Sequence, residues 1–232
     1  MDLVEQLNHI FQPRAVAVVG ASSSPDKMGF MCIKSLLTAG FKGKIYPVNP
    51  ALSQLLGLRV YPSIRAIPGE VDLVIIVIPA QLTVPVVEEC VTKGVKGALM
   101  ITSGYKEVGT ETGLDLHEKI RDIANRGKMK IIGPNTIGLL NPGAKLNATF
   151  VPALSSLKAG SVAVASQSGG VVDYIIDALM EHNIGVSKVI GLGNRCNLNF
   201  DEVVTYFAED EETKVIVLYI EGLEHPQQLM DV

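Results

Sequence analysis

The chain has 232 residues, 47% apolar and 19% charged, which is too apolar for disorder and long enough to bury the core of one large domain or two modest ones. Its 20 Lys and Arg against 24 Asp and Glu leave a formal charge of −4, and the absence of a basic block argues against nucleic acid or an anionic membrane surface as partner. No apolar run reaches the roughly 18 residues of a membrane helix, and Cys32, Cys90 and Cys196 are too few and too widely spaced for a disulfide framework or a metal knuckle.

From the N-terminus, Asp2 and Glu5 stand where a secretory signal needs a basic start, so a reducing cytoplasm is the expected location. Short apolar runs then alternate with helical patterns. Strands are expected at 15–19, 44–48, 72–78, 97–102 and 130–132, with helices at 29–39, 82–93 and 112–126 between them. The run from Val71 to Ile78 is almost continuously apolar, as in strands covered by helices on both faces. This is the grammar of a doubly wound α/β sheet. Around 135–156 the pattern breaks into Gly, Pro, Asn and Ser and is expected to be a connection. A second α/β series follows, with strands at 161–165, 187–191 and 214–219 and helices at 170–181 and 201–207. Three strands are few for a fold of this type, so the second unit is expected to be truncated, its last strand offering an edge to a second copy. The two units are placed at 1–145 and 157–232.

Chemistry is sought at strand ends, because open α/β sheets bind ligands outside the carboxyl ends of their strands. The first strand runs into Gly20, Ala21, Ser22, Ser23 and Ser24, with Lys27 just before a helix. Backbone N–H groups, hydroxyls, an ammonium and the helix dipole there suit an anion such as phosphate; a serine-rich turn with an ordinary cap is the bland alternative. A nicotinamide site would show G-x-G-x-x-G and an acidic residue after the second strand, whereas Val48 leads into Asn49 and Pro50. Ile78-Pro79, Thr102 and Gly133-Pro134-Asn135 end the next strands, each uninformative alone.

The second unit carries Ser166-Gln167-Ser168-Gly169-Gly170 ahead of a helix, another potential anion cradle. It lacks the first glycine of the G-x-S-x-G nucleophile motif. Glu221 lies past the last strand, where a carboxylate can orient a histidine or act as a base. His9, His117, His182 and His225 show no metal-ligand spacing and are expected at surfaces or helix ends. No metal site is expected.

Taken in order, VGASSSPDKMG, GFKGKIYPVNP, VDLVIIVIPA, VKGALMITSGYKEVG, IIGPNTIGLLNP, LNATFVP, VAVASQSGG, GLGNR and TKVIVLYIEG resemble the NDP-forming acyl-CoA synthetases, relatives of the succinyl-CoA synthetase α subunit. The resemblance spans nearly the whole chain. It implies a Rossmann-like CoA-binding domain followed by a flavodoxin-like, succinyl-CoA ligase-like domain, and a reaction in which acyl-CoA, phosphate and ADP give acid, CoA and ATP through an acyl phosphate and a phosphohistidine. It further implies that CoA or acyl-CoA contacts Gly20, Ala21, Ser22, Lys27, Val48, Asn49, Pro50, Ile78, Pro79, Thr102 and Asn135. By the same matching, Ser166, Ser168 and Gly169 hold phosphate, and Glu221 partners the phosphohistidine. That histidine belongs to a loop past the strand that follows YIEG, and His225 comes too early to replace it. ATP or ADP and Mg are expected only with an ATP-grasp module or β-like subunit, which this sequence lacks. Thr136 stands where the family usually has Cys, and Asn197 and Asn199 where Asp is common. A stand-alone CoA-binding or CoA-sensing protein is the alternative from another class, and an NAD-linked oxidoreductase the third reading.

Overall fold

A computed structural model describes residues 2–223 and 226–232. Its elements in chain order are α1 (Leu3–Phe11), β1 (Ala15–Val19), α2 (Met28–Thr38), β2 (Lys44–Val48), β3 (Gln54–Leu55), β4 (Leu58–Arg59), β5 (Leu73–Ile76), α3 (Thr83–Lys93), β6 (Gly97–Met100), α4 (Glu111–Arg126) and β7 (Lys130–Ile132). The second half adds β8 (Gly138–Asn141), β9 (Leu146–Thr149), β10 (Ala159–Ser166), α5 (Gly169–Glu181), β11 (Val186–Gly191), α6 (Phe200–Ala208), β12 (Val215–Tyr219) and α7 (Pro226–Met230).

The first sheet is wholly parallel, in the order β2-β1-β5-β6-β7. Every residue of β1, β5 and β6 is buried, which explains the unbroken apolar runs: helices cover both faces, so no position is left for water. The second sheet runs β12-β10-β11-β8-β9. Strands β10, β11 and β12 are parallel, while β8 and β9 form an antiparallel hairpin docked on β11.

That hairpin corrects the expectation of a plain connection at 135–156 and raises the second sheet from three strands to five. The β8 strand is fully buried, so it carries no polar alternation to announce itself. Helix α1 was also not foreseen. Asp2 caps it by accepting from the Glu5 N–H at 2.8 Å, and it buries Leu7, Ile10 and Phe11. The Phe11 ring stacks on Tyr206 of α6 with centroids 5.1 Å apart. Through such contacts one face of each sheet shares a single core with α1, α2 and α6 between them. The outer faces have their own cores, under α3 and α4 on the first sheet and under α5 on the second. The two sheets are therefore held in one arrangement by apolar burial, the dominant favourable term in folding.

One histidine expectation needs revision: His117 is buried within α4. His9 stands in the last turn of α1, half-buried, with Nδ1 3.6 Å from an Asp72 oxygen. His225 lies outside the described residues. Lys188 is fully buried on β11, its ammonium 2.6 Å from Asp210, a pairing that a buried charge requires.

Candidate ligand clefts at the strand ends

Two cavities open at the carboxyl ends of the strands. The smaller, of about 320 Å³, sits over the ends of β1, β2 and β5 and is lined by Gly20, Val48, Asn49, Pro50 and Ile78, with Pro62, Ser63, Leu82 and Val86 as further walls. Its floor is set by close packing. Gly20 has φ +92°, and a Cβ there would lie 2.7 Å from the Val77 carbonyl oxygen; a Cβ on Gly29 would come within 1.9 Å of the Gly20 carbonyl oxygen. Only glycine lets α2 start so close to the end of β1. The Gly20 N–H donates to the Val48 carbonyl at 3.1 Å, and the Asn49 side-chain amide donates to the Ala21 carbonyl at 2.7 Å. Asn49 thus pins the turn, a task an acidic residue at this position could not perform because it has no N–H. Ala21 is buried beneath the turn. Ser22 accepts from the Ser24 N–H, Lys27 is the N-cap of α2 without a side-chain cap bond, and Pro79 precedes a short 3-10 turn that leads into α3.

The larger cleft, about 660 Å³, lies at the seam between the sheets. Thr102 and Asn135 reach it from the first sheet's strand ends, and Ser168, Gly169 and Glu221 from the second. Of the residues expected around CoA, Gly20, Val48, Asn49, Pro50 and Ile78 line the smaller cavity and Thr102 and Asn135 the larger, beside Ser168, Gly169 and Glu221, whereas Ala21, Ser22, Lys27, Pro79 and the expected phosphate residue Ser166 line neither.

The seam is built from backbone contacts. The Asn135 N–H donates to the Thr102 carbonyl at 3.0 Å, and the N–H groups of Asn194 and Cys196 donate to the carbonyls of Pro134 and Gly133 at 2.9 Å. The Thr136 hydroxyl donates to the Gly191 carbonyl at 2.5 Å and accepts from the Gly138 N–H, so threonine at this position ties the two sheets. Asn197 accepts from the Ile131 N–H at 2.7 Å and donates to the Met129 carbonyl and the Asn125 side chain. Asn199 forms a capping box with Glu202 at the start of α6. The three positions that depart from the family pattern are all occupied in structural hydrogen bonding.

At the second cradle, Ser168 caps α5 by accepting from the Val171 N–H. Ser166 is buried, and its hydroxyl donates to the Ser168 carbonyl at 2.8 Å, so it shapes the turn from beneath. A Cβ on Gly170 would meet nothing within 4 Å, which leaves the helix start open. Gln167, unforeseen from the sequence, ties this turn to Glu221. Its N–H donates to the Tyr219 carbonyl, and its side-chain oxygen accepts from the N–H groups of Glu221 and Gly222 at 3.0 and 3.3 Å.

Glu107, also unforeseen, crosses the cleft. Its carboxylate accepts from the Gly104 N–H at 2.6 Å and from the Asn194 side chain. Partial burial pushes its carboxyl up, but these donors outweigh that and hold it below the ordinary value. Tyr105 anchors the same loop, fully buried, with its hydroxyl donating to Thr83 at 2.9 Å; burial pushes its phenol up to about 12. Asp173, on α5, faces the cleft, and burial followed by the neighbouring Asp177 pushes its carboxyl up. The thiols take no part in such chemistry: all three are buried, and burial raises Cys32 and Cys196 to about 12. Among the described residues no group of His, Cys, Asp and Glu could hold a metal ion, and no helix is long and apolar enough to cross a membrane.

Comparison with known proteins decides the ancestry of these clefts. A family described as a CoA binding domain matches residues 14–142, and one described as a succinyl-CoA ligase like flavodoxin domain matches 159–232. The acetate–CoA ligase [ADP-forming] of Methanocaldococcus jannaschii is 42% identical over 94% of this chain and 30% of its own length. The α subunit of acetate–CoA ligase [ADP-forming] II of Pyrococcus furiosus is 41% identical over 97% of this chain and 48% of its own length. The chain belongs to the NDP-forming acyl-CoA synthetases. Among solved structures, the dinucleotide forming acetyl-coenzyme A synthetase 1 of Ca. Korarchaeum cryptofilum superposes with a TM-score of 0.92 at 39% identity, covering 97% of this chain and 48% of that one. The same synthetase in complex with phosphate and ADP gives 0.91. This member of the family thus carries its CoA-binding and succinyl-CoA ligase-like domains, and it spans about a third to a half of the length of the relatives it matches. The β8–β9 hairpin begins inside the region matched as CoA-binding, yet hydrogen-bonds into the second sheet.

Proposed function

We propose that this chain is the CoA-handling part of a cytoplasmic acyl-CoA synthetase that interconverts acyl-CoA, phosphate and ADP with free acid, CoA and ATP. The observation that carries the reading is the larger cleft, where Thr102 and Asn135 of the CoA-binding domain face Ser168, Gly169 and Glu221 of the ligase-like domain. In this reading the nucleotide end of CoA occupies the smaller crevice, with its pyrophosphate at the start of α2 beside Ser22 and Lys27. The turn from Gly20, which lines the smaller cavity, leads into helix α2, whose first residue, Met28, lines the larger one. The pantetheine arm therefore runs past Thr102 and Asn135 and delivers the thioester to the seam.

Phosphate then sits at the start of α5, where backbone N–H groups and the helix dipole stabilise its charge. A phosphate oxygen attacks the thioester carbonyl, the carbon–sulfur bond breaks, CoA leaves as its thiol after taking a proton, and an acyl phosphate remains. Glu221, held at its main chain by Gln167, serves as the carboxylate partner of the histidine that next accepts the phosphoryl group. No histidine lines this cleft among the described residues, so that histidine, and the nucleotide with its Mg, are assigned to an ATP-grasp module or another segment of the enzyme. The edge of β12 is the place assigned to a further strand or a second copy of the chain.

Calorimetric titration with CoA, with NAD and ADP in parallel, tests the first half of this reading. Saturable CoA binding that weakens at least about tenfold in Lys27→Ala or Asn49→Ala, with no NAD binding, is the expected result. A folded chain that ignores CoA would overturn it. Retention of an ATP-grasp protein during purification separates the synthetase from a stand-alone CoA-binding protein.

A further inference from the structure

A third cavity, of about 540 Å³, lies between α4, the start of β7, the 195–199 segment and the start of α6, and it shares no lining residue with either strand-end cleft. Its charge differs in kind from that of the larger cleft. Among the described residues, the charged groups lining the larger cleft are the carboxylates Glu107, Asp173 and Glu221, whereas Lys106, Arg121, Lys130 and Arg195 line the third cavity. Glu118, Asp201 and Glu202 share its wall, and Glu202 is engaged by the Lys130 ammonium at 2.5 Å and by the Asn199 N–H. Lys106, Arg121 and Arg195 reach this polar space from three separate segments. Arg121 lies 3.6 Å from its neighbour Asp122, a water-exposed pairing of little worth. Burial raises the Cys196 thiol, and the two cations that act against the rise are Arg121 and Lys106, so charge from α4 and from the 104–109 loop converges on one wall of the cavity.

The cavity backs on the larger cleft. In each of two loops, consecutive residues face opposite ways: Glu107 and Asn194 line the cleft and bond to each other, while Lys106 and Arg195 line the third cavity. Arg195 holds a left-handed backbone, φ +50°, a conformation that costs energy for a residue with a Cβ and that persists where the direction of the side chain matters.

We propose that the third cavity is an effector site for a phosphate or pyrophosphate group, held by Lys106, Arg121 and Arg195, and that its occupation fastens the Glu107–Asn194 closure of the larger cleft. This does not depend on what the larger cleft binds. Arginine presents a planar fork of N–H donors that matches phosphate oxygens, and lysine adds a compact charge. An anion gripped by both Lys106 and Arg195 ties together the two loops whose adjoining residues form the Glu107–Asn194 bond, so anion binding and closure favour each other.

The test is calorimetric titration of the chain with phosphate, pyrophosphate and ADP at about 0.15 M salt, which screens loose surface attraction. Pyrophosphate is expected to bind saturably. Arg121→Glu, at a half-exposed position, should weaken it at least about tenfold, and Lys106→Ala several-fold, with the denaturant midpoint of each variant showing that it is folded. Lys27→Ala and Ser168→Ala, which alter the two strand-end helix starts, should leave it unchanged. ADP binding more tightly than pyrophosphate, with the gain lost in Arg121→Glu, would assign the rest of the cavity to a nucleoside; equal affinity would assign the site to the inorganic anion. The amides of Gly104 and Tyr105 donate to Glu107, so their hydrogen exchange should slow at least about threefold with pyrophosphate bound, and not in Arg121→Glu. Pyrophosphate that ignores the folded chain would overturn the site, and so would binding that survives Arg121→Glu but is lost in Lys27→Ala or Ser168→Ala. Binding without slower exchange would overturn the coupling to the larger cleft.

Discussion

The crevice over β1, β2 and β5 is closed by contacts within one sheet, whereas the larger cleft exists only where two sheets meet. In the first, a single close approach, Gly29 against the Gly20 carbonyl, sets the floor, and one amide, Asn49 to Ala21, pins the turn above it. In the second, the walls come from residues as far apart as Met28 and Glu221, aligned by backbone hydrogen bonds between the 133–138 and 191–197 segments. The crevice is therefore a local property of a strand, a turn and a helix, and the cleft is a property of domain packing. Substitutions should separate them.

The largest effect is expected at the crevice. Gly29→Ala places a methyl group where the Gly20 carbonyl already stands, 1.9 Å away, and both partners are backbone that cannot rotate aside. Helix α2 would have to shift off β1, at a cost of about 3 kcal/mol. Because α2 also packs in the core shared by both sheets, the larger cleft should suffer with the crevice. Denaturant unfolding would give the loss, and CoA titration of the folded remainder should show affinity reduced by more than about tenfold. A variant of native stability and affinity would show that the glycine pair is not what sets the floor.

Asn197→Ala should do the reverse and act on the seam. It removes the acceptor of the Ile131 N–H and the donors to Met129 and Asn125, for a cost of about 2 kcal/mol. Binding of the nucleotide end of CoA should persist, since no crevice residue is touched, while any gain from an acyl group, which depends on the seam, should fall. Comparing CoA with acetyl-CoA in this variant measures how independent the two cavities are.

The same contrast explains what could be read from the sequence. The crevice was legible because its residues follow apolar strands directly: Val19 leads to Gly20, Val48 to Asn49, and Val77 to Ile78. The cradle at Ser168 was legible for the same reason, a strand feeding a helix cap. Glu107, Asn194, Gln167 and Phe150 were not, because nothing within a few residues of each signals a partner nearly ninety positions away, as with Glu107 and Asn194. The β8–β9 hairpin hid behind its short strands and the Gly, Pro and Asn around them. Helix α1 carries a signal of its own, the Asp2 cap followed by apolar residues at 3, 7, 10 and 11.

The smallest expected effect concerns Glu107, the carboxylate that reaches from the first sheet's loop to Asn194 of the second. Its carboxyl is held below its ordinary value of 4.5, so the ionised form is favoured by folding. The resulting stabilisation is in full force above that pH and is lost as the pH falls through the lower folded value, where the native carboxylate also takes up its proton. The group is exposed to water, so the contribution is a fraction of what a buried pair would give. Glu107→Gln should therefore leave stability at pH 7 slightly reduced and flatten its decline below about pH 4.5, read as the denaturant midpoint against pH for both proteins. The glutamine amide can accept from Gly104 with its oxygen but cannot offer the charge that strengthens the bond to Asn194. If the two pH profiles coincide, the contact across the cleft adds nothing to the folded state, and the seam is held by its backbone bonds, by Thr136 and Asn197, and by the shared apolar core.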